Sequence, residues 1–216
     1  RYVLIVGGDN YDYFNIYGAE PLAFVPTRYA KVGSIINFAP TDVLYGDIDG
    51  DKIPDLAVGR LIVRTLPELA SAIAKLKGYA GGKAGLMVTG KSASGSQFAQ
   101  QHANMSATLA TGGWKLTDLS VDDYPDAAVA RSDLLAGFGR GYGIVSYLGH
   151  SDYDYWDFGP LFHRNDVASL PSGNAQPVVV QWGCWNSYFV ATRFETMAHG
   201  LLLTKDKGAA SVIGSS

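Results

Sequence analysis

The chain of 216 residues has a single cysteine, Cys184, so no internal disulfide bond can form. It has no run of Lys and Arg, and its net charge of −3 argues against a nucleic-acid partner. No apolar stretch reaches the length of a membrane span. Gly7-Gly8 is not followed by a G-x-G-x-x-G pattern or a P-loop lysine, so a plain turn is favoured over a phosphate site.

The composition is that of a sizeable α/β domain, with 47% hydrophobic and 17% charged residues. Short β-branched runs alternate with stretches of helical spacing, which predicts a mainly parallel sheet covered by helices on both faces. Strands are predicted over 2–6, 56–58, 85–89, 115–121, 142–148, 177–182 and 209–213, and helices over 96–110, 126–138, 161–170 and 194–204.

A further helix is predicted to begin after Thr65. Thr65 suits the N-cap, Pro67 suits the first turn, and Glu68 completes the spacing of a capping box. Because irregular, aromatic sequence precedes this helix, we expect a subdomain boundary near residue 65.

Two predicted strands end near potentially reactive side chains, His150 and Cys184. Both strands are apolar and β-branched, as is typical of strands buried on two faces. Cys184 follows His150 by 34 residues with a predicted helix between, so the two strands can be parallel neighbours. Ligands bind beyond the carboxyl ends of such strands, which predicts a thiol and an imidazole at one edge of the sheet. That pair is the minimum for cysteine nucleophilic catalysis.

The residues around this pair complete the predicted site. Gly149 and Gly183 would allow close approach of a substrate backbone, and the N–H groups of Ser151 and Cys184 are candidate oxyanion donors. Three tryptophans near the two strand ends are candidates for a substrate pocket, with core packing as the open alternative for each. These tryptophans are Trp156, Trp182 and Trp185.

An acidic stretch predicts a cation site. Carboxylates at alternate positions of a tight loop converge on a hard cation, and Gly50 permits the turn. We expect structural Ca²⁺ here, the alternative being a solvated acidic turn. The missing glutamate at the twelfth position argues against an EF-hand helix pair. The expected ligands are Asp47, Asp49, Asp51 and Asp55.

Several stretches of the sequence resemble the gingipain family of cysteine endopeptidases. Residues 147–151 (YLGHS) are similar to that family's histidine segment, and residues 182–186 (WGCWN) to its nucleophile segment. Residues 47–60 (DIDGDKIPDLAVGR) are similar to the acidic stretch before its linking helix. The closing residues 208–216 also fit, so the resemblance runs in order along nearly the whole chain.

The resemblance implies a caspase-like α/β fold, with a mainly parallel sheet flanked by helices and preceded by part of an N-terminal α/β subdomain. Residues 1–64 would be the end of that subdomain and 65–216 the catalytic subdomain, truncated at its C-terminus. It implies a secreted or cell-surface bacterial protein, and it allows for additional domains of a longer precursor. It also favours Trp156 as a pocket residue.

The sequence departs from the family pattern at two places. Ser151 stands where the family usually has glycine, and no acid follows strand 85–89, where family members can have a carboxylate that orients the histidine. Residues 89–92 (TGKS) occupy that place, so the imidazole would be oriented by backbone, by Asp152 or Asp154, or not at all.

The sequence therefore predicts a cysteine endopeptidase acting on proteins or peptides, with Cys184 as nucleophile and His150 as base and acid. Two alternatives stay open: a sortase-like transpeptidase of the same family, and an inactive, calcium-stabilised surface module. Arg-directed family members place a carboxylate in the helix equivalent to 96–110. That helix has no Asp or Glu here, so strong Arg selectivity is not expected.

Overall fold

The computed structural model describes residues 1–18, 24–34, 36–159, 161–173 and 176–216. The helices are α1 (Leu66–Gly78), α2 (Phe98–Thr111), α3 (Ala127–Gly137) and α4 (Met197–Leu203). The strands are β1 (Tyr2–Val6), β2 (Tyr29–Val32), β3 (Ile36–Pro40), β4 (Ala57–Leu61), β5 (Ala84–Thr89), β6 (Lys115–Ser120), β7 (Ile144–Leu148), β8 (Ser151–Asp152), β9 (Tyr155–Trp156), β10 (Phe162–His163), β11 (Val178–Trp182) and β12 (Ser211–Gly214).

The main sheet has five strands in the order β12-β11-β7-β5-β6, and every neighbouring pair is parallel. Its central strands are short and apolar, and β7 pairs with β5 on one side and β11 on the other. This confirms the predicted α/β fold with a mainly parallel sheet and places the ends of β7 and β11 side by side.

The hydrophobic core lies on one face of this sheet. Val88, Val145 and Tyr147 point into it and pack with Leu134 of α3 and Leu201 of α4. The alternate residues of β7 face α2 on the opposite side, where Ile144 and Ser146 share a cavity with that helix. Helices therefore flank the sheet on both faces, as predicted.

The predicted capping box at the start of α1 is confirmed. The N–H of Glu68 donates to the Thr65 hydroxyl, and the Glu68 carboxylate accepts from the Thr65 N–H. Farther along α1, Lys75 is 4% exposed and donates to the carbonyls of Leu201, Thr204 and Lys207 at 3.0, 3.0 and 2.9 Å. These bonds fix α1 to the C-terminal end of α4.

The predicted helix over 161–170 is wrong. The structure has β10 followed by a short 3-10 helix, Arg164–Ser169. The imidazole of His163 caps this turn by accepting from the Asn165 N–H at 3.0 Å, and the Asp166 carboxylate accepts from the His163 N–H at 2.8 Å. Residues 162 and 163 pair with β9, and the capping box fixes the start of the 3-10 helix directly after them, so no α-helix begins at 161.

Smaller sheets surround the main one. β1 and β4 form a parallel pair, β2 and β3 an antiparallel pair, and β8, β9 and β10 an antiparallel sheet that starts directly after β7. The sequence patterns did not predict β2, β3, β8, β9 or β10.

The Arg64 guanidinium, at the predicted subdomain boundary, forms an ion pair with the Glu195 carboxylate at 2.7 Å. Within the described residues, the structure contains no helix both apolar and long enough for a membrane crossing.

Candidate active site

The ends of β7 and β11 bring the two predicted reactive residues to one edge of the sheet. The strands are in parallel register up to the pair Leu148 and Trp182, and His150 and Cys184 each come two residues later. The Gly149 N–H continues the pairing with a 3.4 Å bond to the Trp182 carbonyl. This confirms the prediction that the two strands are parallel neighbours.

Cys184 is a free, exposed cysteine on a loop that is fixed by side-chain hydrogen bonds. The Ser151 hydroxyl donates to the Cys184 carbonyl at 2.9 Å and accepts from the Asn186 side-chain amide at 3.2 Å. Trp185 has a φ of 62°, a left-handed conformation that non-glycine residues adopt rarely. The loop is therefore a tight, specifically bonded turn that presents the thiol to solvent.

Aromatic rings flank the imidazole of His150. Phe98, at the start of α2, meets it edge to face, and Phe158 stacks on it, each with 5.1 Å between ring centroids. The His150 carbonyl accepts from the Asp157 N–H at 2.8 Å and from the hydroxyl of Tyr147. The backbone and the ring of this residue are thus both constrained.

In the described part of the chain, no carboxylate lies within ion-pair distance of His150. Asp154 bonds the imidazole of His163 at 3.2 Å, and Asp152 accepts from the Tyr153 N–H at 2.8 Å. Of the orienting groups left open by the sequence, neither Asp152 nor Asp154 is bonded to the His150 imidazole. The flanking phenyl rings are what restrict the imidazole, and no sequence signal pointed to Phe98.

The two glycines before the reactive residues make room for neighbouring side chains. A Cβ at Gly149 would lie 2.5 Å from the Tyr147 hydroxyl, and one at Gly183 would overlap the Ser151 hydroxyl. Tyr147 is fully buried, and burial raises the pKa of its phenol, so it remains a neutral donor. Any side chain at Gly149 or Gly183 would displace the hydroxyls that hold the two loops.

The three predicted pocket tryptophans have different surroundings. Trp156 is fully buried, stacks on Tyr147 with 4.6 Å between centroids, and donates to Gln181 at 2.9 Å. It is therefore a core residue, and its prediction as a pocket wall is corrected. Trp182 is 51% exposed and stands two residues before Cys184. Trp185 packs in an aromatic cluster with Tyr153, Tyr188 and Phe194.

Three of the four predicted calcium ligands converge. Asp47, Asp49 and Asp55 each offer a carboxylate oxygen, and these oxygens lie within 4.8 Å of one another. Asp51 is not part of this group, and its carboxylate accepts from the Ile53 N–H at 2.7 Å. Three carboxylates suit a hard cation, and Ca²⁺ would need further oxygen atoms from backbone or water to reach six to eight ligands.

The chain belongs to peptidase family C25, the gingipain family, because the family model matches residues 1–216. Its fold is similar to the crystal structure of the Arg-specific cysteine proteinase gingipain R (RgpB), with a TM-score of 0.73 and 20% identity. This similarity covers 98% of the present chain and 47% of gingipain R.

A complex of the Porphyromonas gingivalis RgpB pro- and mature domains is similar to the same degree. Its TM-score is 0.72 at 20% identity, over 98% of this chain and 48% of the other. A third structure, described as a protease, has a TM-score of 0.72 at 19% identity, over 99% and 45%. The present chain thus spans about half the length of these solved chains. Among curated proteins, no significant match is found.

Proposed function

We propose that this chain is a cysteine endopeptidase that uses Cys184 as nucleophile and His150 as general base and acid. One observation carries the proposal: both residues follow adjacent parallel strands by the same two positions, in a chain of peptidase family C25. The exposure of the thiol and the enclosure of the imidazole by Phe98 and Phe158 support the same roles.

The proposed reaction has two covalent stages. The His150 imidazole takes the thiol proton, the Cys184 sulfur attacks the peptide carbonyl carbon, and a tetrahedral intermediate forms. The C–N bond then breaks, the imidazolium gives its proton to the leaving amine, and a thioester remains. Water attacks the thioester while His150 takes its proton, and collapse of this intermediate releases the carboxylic acid and the thiol.

Backbone N–H groups beside the dyad would stabilise the oxyanion. Ser151 pairs with Trp156 between β8 and β9, next to the bond from the Asp157 N–H to the His150 carbonyl. In antiparallel pairing, bonded and non-bonded pairs alternate, so the Ser151 N–H points away from β9. We therefore propose the N–H groups of Ser151 and Cys184 as donors. The Gly149 N–H bonds the Trp182 carbonyl and is a weaker candidate.

A thiol-directed peptide probe tests this proposal. The wild-type protein should be labelled at Cys184 and should cleave a peptide library, and Cys184→Ala should lose both activities while its melting temperature stays close to that of wild type. His150→Ala should keep the thiol but lose most of the labelling rate. Wild-type cleavage rates in Cys184→Ala would disprove the assignment.

The same experiment decides between the alternatives. A folded wild-type protein that neither cleaves nor labels would be the inactive surface module. Transfer of the acyl group to an added amine in preference to water would indicate the transpeptidase.

We also propose that Asp47, Asp49 and Asp55 hold a structural Ca²⁺ ion. The convergence of their carboxylate oxygens within 4.8 Å supports this, and the ion would offset the mutual repulsion of three like charges. The loop precedes β4 and α1, so the ion would stabilise the junction near residue 65 and take no part in the reaction.

We base the proposed substrate class and cellular location on the family. Proteins or peptides are the substrate class, and the protein would act at the bacterial cell surface or after secretion. Fractionation of cells that express the natural gene, with an antibody to this chain, tests the location.

A further inference from the structure

A cavity of about 430 Å³ lies between α2 and the sheet face formed by β7 and β11. A water molecule occupies about 30 Å³ in the liquid. The cavity is many times larger than that, so it has room for a large side chain. The helix contributes Met105 and Leu109, and the strands contribute Ile144, Val180 and Trp182. The walls of the cavity are therefore mainly aliphatic and aromatic.

The cavity lies on the α2 face of the sheet, the face from which Phe98 contacts His150. Val180 and Trp182 line it, and Trp182 stands two residues before Cys184. Phe98 of α2 contacts the His150 ring, and Met105 and Leu109 follow two and three turns later on the same helix. The His150 imidazole and the cavity thus share α2 as one wall.

Among the residues that the structure describes, no charged side chain lines the cavity. α2 has no Asp, Glu, Lys or Arg, and neither do β7 and β11. Asn104 and Thr108 border the cavity, but Asn104 accepts from Gln100 and Thr108 donates to the Asn104 carbonyl on the same helix. Ser146 is 1% exposed, and its hydroxyl has no partner in the described part of the chain.

We propose that this cavity receives the substrate side chain that precedes the scissile bond, and that it selects large apolar residues such as Phe, Leu, Met and Tyr. This inference rests on the proposed peptidase function. Burial of each CH₂ group of such a side chain is favourable. A Lys or Arg side chain would have to bury its charge without a partner carboxylate, which is strongly unfavourable.

Fluorogenic peptides that differ only in the residue before the cleaved bond test this proposal on the full-length protein. We expect kcat/KM for Phe, Leu or Met to exceed that for Arg or Lys by at least about tenfold, because pocket discrimination of 1–3 kcal/mol gives factors of this size. Turnover dominated by Arg or Lys would overturn the inference and leave the peptidase function intact. Absence of turnover and of Cys184 labelling would overturn both.

A charge placed in the wall sharpens the test. Met105→Asp should raise the ratio of Arg to Phe turnover at least about tenfold, since a buried carboxylate supplies the missing partner. Ala107→Asp adds the same charge at an exposed position of α2 and should leave the ratio unchanged. Leu109→Asp provides a second position if Met105→Asp does not fold. Equal ratios in a folded wall variant and in Ala107→Asp would contradict the proposed pocket.

Discussion

The phenyl ring of Phe98 stands edge-on to the imidazole of His150, with 5.1 Å between the centroids and 85° between the planes. Phe158 stacks on the same imidazole with an interplanar angle of 21°. In the described part of the chain, these contacts take the place of an orienting carboxylate. Among the described residues, the ring of the proposed general base is held by packing rather than by a hydrogen bond.

Removal of Phe98 should therefore slow catalysis more than it weakens binding. We expect Phe98→Ala to lower kcat by about tenfold to a hundredfold, as misplacement of a reacting group by about 1 Å can do, with little change in KM. Phe98→Tyr keeps the ring and should retain most of the rate. Steady-state kinetics measure both, and Phe38→Ala, which removes a 75% exposed ring, is the control. A wild-type kcat in Phe98→Ala would contradict the positioning role.

Ser151→Ala should destabilise the loop that carries Cys184. The substitution leaves the Cys184 carbonyl and the buried Asn186 amide without the hydroxyl that both bond at present. Loss of a buried partner costs about 1–3 kcal/mol, which urea denaturation can measure. Ser172→Ala, in an exposed loop, should change the free energy of unfolding by less than about 0.5 kcal/mol.

Calcium should raise the melting temperature. A ligand that binds only the folded state adds about 2.7 kcal/mol at a hundredfold excess over Kd, and Mg²⁺ should substitute poorly because it demands a tighter octahedral shell. A chelator should abolish the gain, and Asp49→Ala should abolish it too. Asp51→Ala is a matched control that lies outside the group of three carboxylates, and it should keep the gain. An identical melting curve with calcium and with chelator would leave only a solvated acidic turn.

Acid should destabilise the protein through His199. This residue is 6% exposed, and its Nδ1 accepts from the Thr196 N–H at 3.1 Å. Burial lowers its pKa to about 4, Arg64 and Arg164 act in the same direction, and Glu195 opposes them. The folded state thus binds fewer protons than the unfolded state between pH 6.5 and about 4. Above pH 6.5 the imidazole is neutral in both states, and the unfolding free energy has its full value. As the pH falls below 6.5, the unfolded state takes up the proton first, and the unfolding free energy decreases.

The expected loss is roughly 3 kcal/mol of unfolding free energy between pH 6.5 and 4. Denaturant titrations at several pH values measure it. His199→Asn keeps a neutral acceptor near Thr196 and should flatten this part of the profile. A wild-type pH profile in the variant would show that His199 is not the group responsible.

The elements set by local chemistry could be predicted from the sequence. The capping box of Thr65 and Glu68 marks the start of α1, and the apolar runs mark β5, β7 and β11 to within one or two residues. The alternation of these strands with helices also predicts that the strands run parallel to one another. The neighbouring ends of β7 and β11, and so the position of the candidate site, follow from the same pattern.

The predictions that depend on distant partners could not be made in this way. Trp156 has the character of a pocket residue in sequence, but its stacking on Tyr147 and its bond to Gln181 place it in the core. Phe98 lies 52 positions before His150, and no periodicity indicates their contact. The three-stranded sheet of β8, β9 and β10 is built from two-residue strands, which are too short to show alternation.

The register between β7 and β11 has a consequence for the folding chain. Side chains alternate along a strand, so a slip of β11 by one residue would turn Cys184 to the opposite face. A slip of two residues would carry the thiol about 7 Å past its place beside His150. On the proposed function, a chain with this pair misaligned carries an inert cysteine and cannot cleave its neighbours. The rate of thiol labelling during refolding would then report when these two strands reach their final alignment.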